Sequence, residues 1–139
     1  TSRGLGDVYK RQLLEQTKND DFYLSFRDAW ITMIGEAHRA GVKIVVGSDL
    51  CGYAVASHLC AREFATLVEA GMSPMEAIKA GTSVAAELLQ WDDRIGTLET
   101  GKLADIIAVT GNPIVNISAL EKPVFVMKNG EIILNKLEN

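Results

Sequence analysis

Cysteine is scarce: two residues in 139, Cys51 and Cys60. So few cannot build a disulfide framework, and they fit a reducing compartment. Basic charge is not in excess. There are 14 Lys and Arg against 18 Asp and Glu, a net charge of −4, which leaves no footprint for a nucleic-acid partner. No apolar run nears the roughly 18 residues that a membrane span needs, so no membrane partner is expected. The start of the chain lacks the apolar stretch of a secretory signal. No G-x-S-x-G elbow is present to support a serine triad, and no glycine loop to hold a phosphate. The remaining composition, 47% hydrophobic and 23% charged, is that of an ordinary soluble domain with a real core. A cytoplasmic location is expected.

The chain opens "TSRGLGDVYKRQ", with neither an initiator Met nor an apolar period. Residues 1–12 are expected to be a non-native read-through tail or a flexible arm. From Ser25 the pattern sharpens. Ser25 and Asp28 can form a capping box, and Phe26, Trp30, Met33, Ile34 and Ala37 fall on one helical face. Gly41 should stop that helix. "VKIVVGSD" then reads as a short apolar strand of the kind that a parallel sheet covers on both faces.

A loop, "LCGYAVAS", leads to a helix that starts near His58 or Cys60, turns Phe64, Leu67 and Val68 inward, and stops at Gly71. "SPMEA" is a start signal, with Ser73 as N-cap, Pro74 in the first helical position and Glu76 completing the box. "GTSVAAELLQW" opens the next helix, with Thr82 or Ser83 as cap and Val84, Leu88 and Trp91 toward the core. After Trp91 the period becomes strand-like. A turn near Glu99–Lys102 separates two strand candidates, and Asn112–Pro113 ends the second. "PVFVMKNGEIIL" predicts a hairpin with a type I′ turn at Asn129–Gly130.

Taken one at a time, the residues that could carry chemistry are few. Asp49 follows a strand and a glycine, where an aspartate ordinarily caps a turn. His38 falls near a helix C-terminus, which favours an imidazole. Asp49, Cys51, His58 and Cys60 do not follow structural-zinc spacing, and the cysteines read as small buried thiols. Glu63, Glu69, Glu76 and Glu87 read as solvated helix charges.

In combination the segments say more. "GVKIVVGSD", "EFATLVEAGMSPMEAIKAGTSVAAELL" and "DRIGTLETGKLADIIAV", in this order, resemble the C-terminal part of the amidohydrolase superfamily over about residues 25–135. The branch they resemble most is the imidazolonepropionase-like group with its prolidase-type dipeptidases. The resemblance implies an α/β fold: the last α/β segment of a TIM-type (β/α)8 barrel, in residues 13–91, followed by part of a small β-sandwich in 92–139. Residues 42–48 would be the last barrel strand and Asp49 its C-terminal end, where such barrels place catalytic groups. It further implies hydrolysis of a C–N bond in a small amide, dipeptide or cyclic amide by metal-activated water. Asp49 would contact the divalent metal, expected to be Zn2+, and carry a proton to the leaving nitrogen. Gly101 and Asp105 would be structural, one making a tight turn and the other holding one.

The chain also departs from that pattern. The histidine ligands of earlier barrel strands are not in it, and one carboxylate cannot bind a catalytic zinc, which takes about three protein ligands. The isolated chain is therefore expected to hold no metal and to be inactive. Related enzymes often carry H-G-x-N ahead of A-R-E; Ser57, His58, Leu59 and Cys60 stand there instead. His58 is one position out of register and is kept as a candidate substrate contact. Strand edges without partners invite homo-oligomerisation. The alternative is a stand-alone, non-catalytic α/β oligomerisation or binding module.

Overall fold

The computed structural model describes residues 21–47 and 60–137. Among the described residues four helices come first: α1 (Asp21–Arg39), α2 (Arg62–Glu69), α3 (Pro74–Ala80) and α4 (Ser83–Leu88). A three-stranded antiparallel sheet follows, with β1 (Ile106–Val109), β2 (Pro123–Lys128) and β3 (Glu131–Asn135) in the order β1-β2-β3. A 3₁₀ turn, Ile117–Glu121, leads into β2 and packs on α2, where Arg62 reaches Glu121 at 3.4 Å.

Helix α1 begins at Asp21, four residues before the expected cap, so Ser25 lies inside it and makes no N-terminus. Its end is as expected. Gly41, at φ +82°, donates to the His38 carbonyl, and Val42 donates to the Ala37 carbonyl. That is a Schellman closure, with glycine in the left-handed position. The inward face of α1 differs from the expectation. Phe26, Trp30 and Met33 stay about half exposed (51%, 50% and 53%), while Gly35 is buried and Ile34 packs on the core. The cause is the crossing with α2. A Cβ at Gly35 would run into the Ala70 carbonyl, so the two helices can meet closely only along the Ile34–Gly35 stripe.

The core behind that crossing is small. Leu67, Met72, Ala77 and Ala80 form it, with Ile34, Ile44, Val46, Phe64 and Val68 packed around them. Phe64, Leu67 and Val68 point inward as predicted. Helix α3 also starts as predicted: Ser73 accepts from the Glu76 N–H, and the Glu76 carboxylate accepts from the Ser73 N–H at 2.8 Å. The box holds the Glu76 carboxyl below the usual range, chiefly through the Ser73 hydroxyl.

Helix α4 needs two corrections. Its N-cap position is Thr82, but that hydroxyl donates back to the Ile78 carbonyl at 2.8 Å and caps nothing. Leu88 and Trp91 are exposed, whereas Ala86 is buried. Gln90, at φ 57°, turns the chain at the helix end, and Gly96 folds over Ala86 instead. Trp91 is covered from outside by the Arg94 guanidinium, 5.1 Å from its ring centroid.

Two expected strands do not form. Residues 42–47 lie in neither helix nor sheet, because no neighbouring strand runs beside them among the described residues. Residues 94–98 bend instead of pairing, drawn back by the Leu103 N–H on the Arg94 carbonyl at 2.8 Å. The hairpin is as expected, since Asn129 (φ 50°) and Gly130 (φ 82°) both take the left-handed values of a type I′ turn.

Asp105 does hold a turn, but a distant one. Its carboxylate accepts from the Asn129 N–H at 2.7 Å and pairs with Lys128, both at the β2–β3 turn. Lys128 first, then the Asn129 N–H, keeps the Asp105 carboxyl below the ordinary aspartate value. A depressed carboxyl stabilises the folded hairpin above its ordinary value, and the effect is lost as pH falls through the depressed one. By NMR, Asp105 is expected to titrate on the acid side of an ordinary aspartate. Lys128→Ala should move its midpoint back up; a midpoint that stays put would clear the lysine as the cause.

Candidate functional site

The described segment that precedes the candidate residue Asp49 in the sequence runs from Ile44 to Gly47. Alternating apolar side chains fasten its inner side: Ile44 and Val46 both pack on the Leu67–Met72–Ala77–Ala80 cluster. Its backbone is held by helices. The Val46 N–H donates to the Ala80 carbonyl at the end of α3, at 3.1 Å. The Gly47 N–H donates to Glu63 Oε2 in the first turn of α2, at 3.2 Å. Close packing at Gly81 makes this possible. A Cβ there would sit 2.5 Å from the Phe64 ring and 3.5 Å from Val46 Cγ2.

Asp49, marked for catalysis and metal contact, and His58, marked for substrate contact, lie outside the described residues, as does Cys51. Cys60 is half-buried just ahead of α2. His38 sits in the last turn of α1, as expected, with Nε2 3.8 Å from Glu76 Oε1 on α3. Among the described residues no three His, Cys, Asp or Glu side chains gather as metal ligands. Those residues therefore do not fit the metal that the resemblance implies. Among them, too, no helix is long and apolar enough to cross a membrane.

Glu63 is the residue that the sequence pattern did not mark. It was expected to be a solvated helix charge, yet it is half-buried and closes a hydrogen bond across 16 residues of chain. Helical periodicity carries no signal for such a contact. Its one hint is placement in the first turn of the helix after the 42–47 segment, where a carboxylate suits the helix dipole.

Comparison with known proteins places this arrangement. Residues 26–134 match the amidohydrolase family model. A solved Xaa-Pro dipeptidase, with methionine bound in its active site, is 41% identical to this chain, with a TM-score of 0.70. The match covers 76% of this chain and 25% of that one. A solved amidohydrolase is 38% identical, with a TM-score of 0.70 over 78% of this chain and 26% of its own. A candidate prolidase from Bifidobacterium longum is 36% identical, with a TM-score of 0.65 over 74% of this chain and 26% of its own. None of the curated proteins compared matches the chain. The chain thus spans about a quarter of the length of these solved structures. With 26–134 matched and 41% identity to one of them, the chain belongs to the amidohydrolase family.

Proposed function

We propose that the chain is the C-terminal part of a hydrolase that cleaves a C–N bond in a small amide or peptide, with dipeptides as the leading substrate class. The observation that carries this reading is the 41% identity to a Xaa-Pro dipeptidase over three quarters of the chain. In the same reading, residues 13–91 are the end of a (β/α)8 barrel, and 92–139 contribute to a small β-sandwich. The location proposed is cytoplasmic.

Asp49 is assigned as the catalytic carboxylate. It accepts a proton from the attacking water as the C–O bond forms, and returns it to the leaving nitrogen as the C–N bond breaks. Both halves of that task suit a carboxylate that stays ionised at neutral pH. His58 is assigned as a contact to the substrate. Family membership calls for a divalent metal, with zinc proposed, but the described residues offer no ligand set, and no step is derived through one. The isolated chain is proposed to be inactive and to self-associate through its exposed apolar side chains and strand edges.

A hybrid tests this reading. Residues 26–134 would replace the matching quarter of the Xaa-Pro dipeptidase, and hydrolysis of Xaa-Pro dipeptides and simple amides would be followed. Turnover of at least one dipeptide is expected. A folded hybrid that cleaves nothing, together with a 139-residue chain that sediments as one defined oligomer, would favour the non-catalytic module.

A further inference from the structure

We propose that Asn129–Gly130 is a site of spontaneous deamidation, and that the contacts of this turn with Ala104 and Asp105 set its rate.

The chemistry is intrinsic to the pair. The Gly130 main-chain nitrogen attacks the side-chain carbonyl carbon of Asn129. The new N–C bond closes a cyclic imide, the attacking nitrogen loses its proton to solvent, and the side-chain nitrogen leaves as ammonia. Water then opens the ring at one of its two carbonyls. The product is aspartate or, with the main chain rerouted through the side chain, isoaspartate. Asparagine is a thermolabile residue, and a glycine successor, having no Cβ, leaves the attacking nitrogen least hindered. Asn129 is the only asparagine in the chain that glycine follows. Asn112 precedes a proline, whose nitrogen has no proton to lose, and Asn116 precedes the β-branched Ile117.

The folded turn blocks the first step. The Gly130 N–H donates to the Ala104 carbonyl at 3.1 Å, so the proton that must leave is held. The Asn129 N–H donates to Asp105 Oδ1 at 2.7 Å, and Lys128 pairs with the same carboxylate. Three consecutive residues of the turn are thus tied to the two residues that lead into β1. Asn129 and Gly130 are both exposed, so burial does not shield them. The shield is this latch, and ring closure waits for it to open locally.

The product undoes the turn that formed it. Isoaspartate lengthens the main chain by one methylene, whereas a type I′ hairpin loop has room for two residues. Lys128 pairs across the turn with Glu131, so the register of β2 and β3 has no slack to absorb the addition. Aspartate in its place sets a second carboxylate beside Asp105. Either outcome loosens the β2–β3 hairpin.

The test ages the 139-residue chain at mildly alkaline pH and follows the peptide carrying Asn129 by mass spectrometry, in buffer and in urea. Deamidation in buffer is expected to run at least about tenfold slower than in urea. Asp105→Ala should speed the reaction in buffer about tenfold, because a charged acceptor is lost. Asp105→Asn still accepts from the Asn129 N–H and should stay within about threefold of the parent chain. Gly35→Ala separates local opening from general unfolding, since its Cβ would collide with the Ala70 carbonyl at the α1–α2 crossing. It should leave the Asn129 rate unchanged.

Equal rates in buffer and in urea would overturn the proposal, as would an Asp105→Ala rate no faster than the parent's. So would Gly35→Ala raising the rate as far as Asp105→Ala does, which would make general unfolding the route. No conversion of Asn129 even in urea would remove the site itself.

Discussion

In the hybrid, Asp49→Asn is expected to lower kcat by about 10²–10⁴ while leaving the fold and KM nearly as they were. Asparagine has the size and shape of aspartate and still accepts hydrogen bonds, but it cannot take up a proton. The substitution therefore separates two roles that the sequence alone leaves side by side. If Asp49 only caps a turn, asparagine serves about as well, because both residues are favoured caps. Stability would then hold and turnover would hold with it. If Asp49 carries the proton between water and leaving nitrogen, stability holds and turnover collapses. Activity kept within about tenfold would remove Asp49 from the mechanism. Steady-state kinetics with circular dichroism on the same preparation decide between them.

Gly96→Ala is expected to be strongly destabilising, at about 2–4 kcal/mol of stability. Two causes act together. Gly96 sits at φ +94°, a conformation that side chains rarely adopt. A Cβ there would also stand 2.7 Å from the Ala86 Cβ and 3.1 Å from the Ser83 Cα. Helix α4 cannot retreat easily, because Ala86 is buried in the contact. The urea midpoint of the 139-residue chain measures the loss. Ala86→Gly combined with Gly96→Ala should relieve the collision and leave the backbone strain. The pair should therefore cost less than the sum of its parts. A loss under about 0.5 kcal/mol for Gly96→Ala would show that the turn adapts.

Features written within one turn of chain were legible in the sequence. The Ser73–Glu76 box, the Gly41 closure and the Asn129–Gly130 turn each depend on neighbours no more than five residues away, and each took its expected form. What depends on a distant neighbour was not legible. The face that α1 buries is set by how closely Ala70 can approach Gly35, so periodicity alone chose Phe26, Trp30 and Met33 wrongly. Trp91 is the exception among local features: Arg94 stands only three residues on, but apolar periodicity does not announce a guanidinium laid over the ring. The strand expected at 42–48 needs a partner before it is a strand at all. Of the contacts in the candidate site, the one from the Gly47 N–H to Glu63 could not be read from the sequence, because it joins residues 16 apart.

The helix crossings described above are built largely from methyl-sized or smaller groups: Gly35 against Ala70, with Ala77, Ala80 and Ala86 buried nearby. No large side chain is fully buried among the described residues. Unfolding such a core hands little hydrocarbon to water. The heat-capacity increment should therefore lie below the usual range of about 12–15 cal/mol/K per residue, and the curve of stability against temperature should be correspondingly flat. Cooling would weaken these helices little, since the term that fades in the cold is the one they use least.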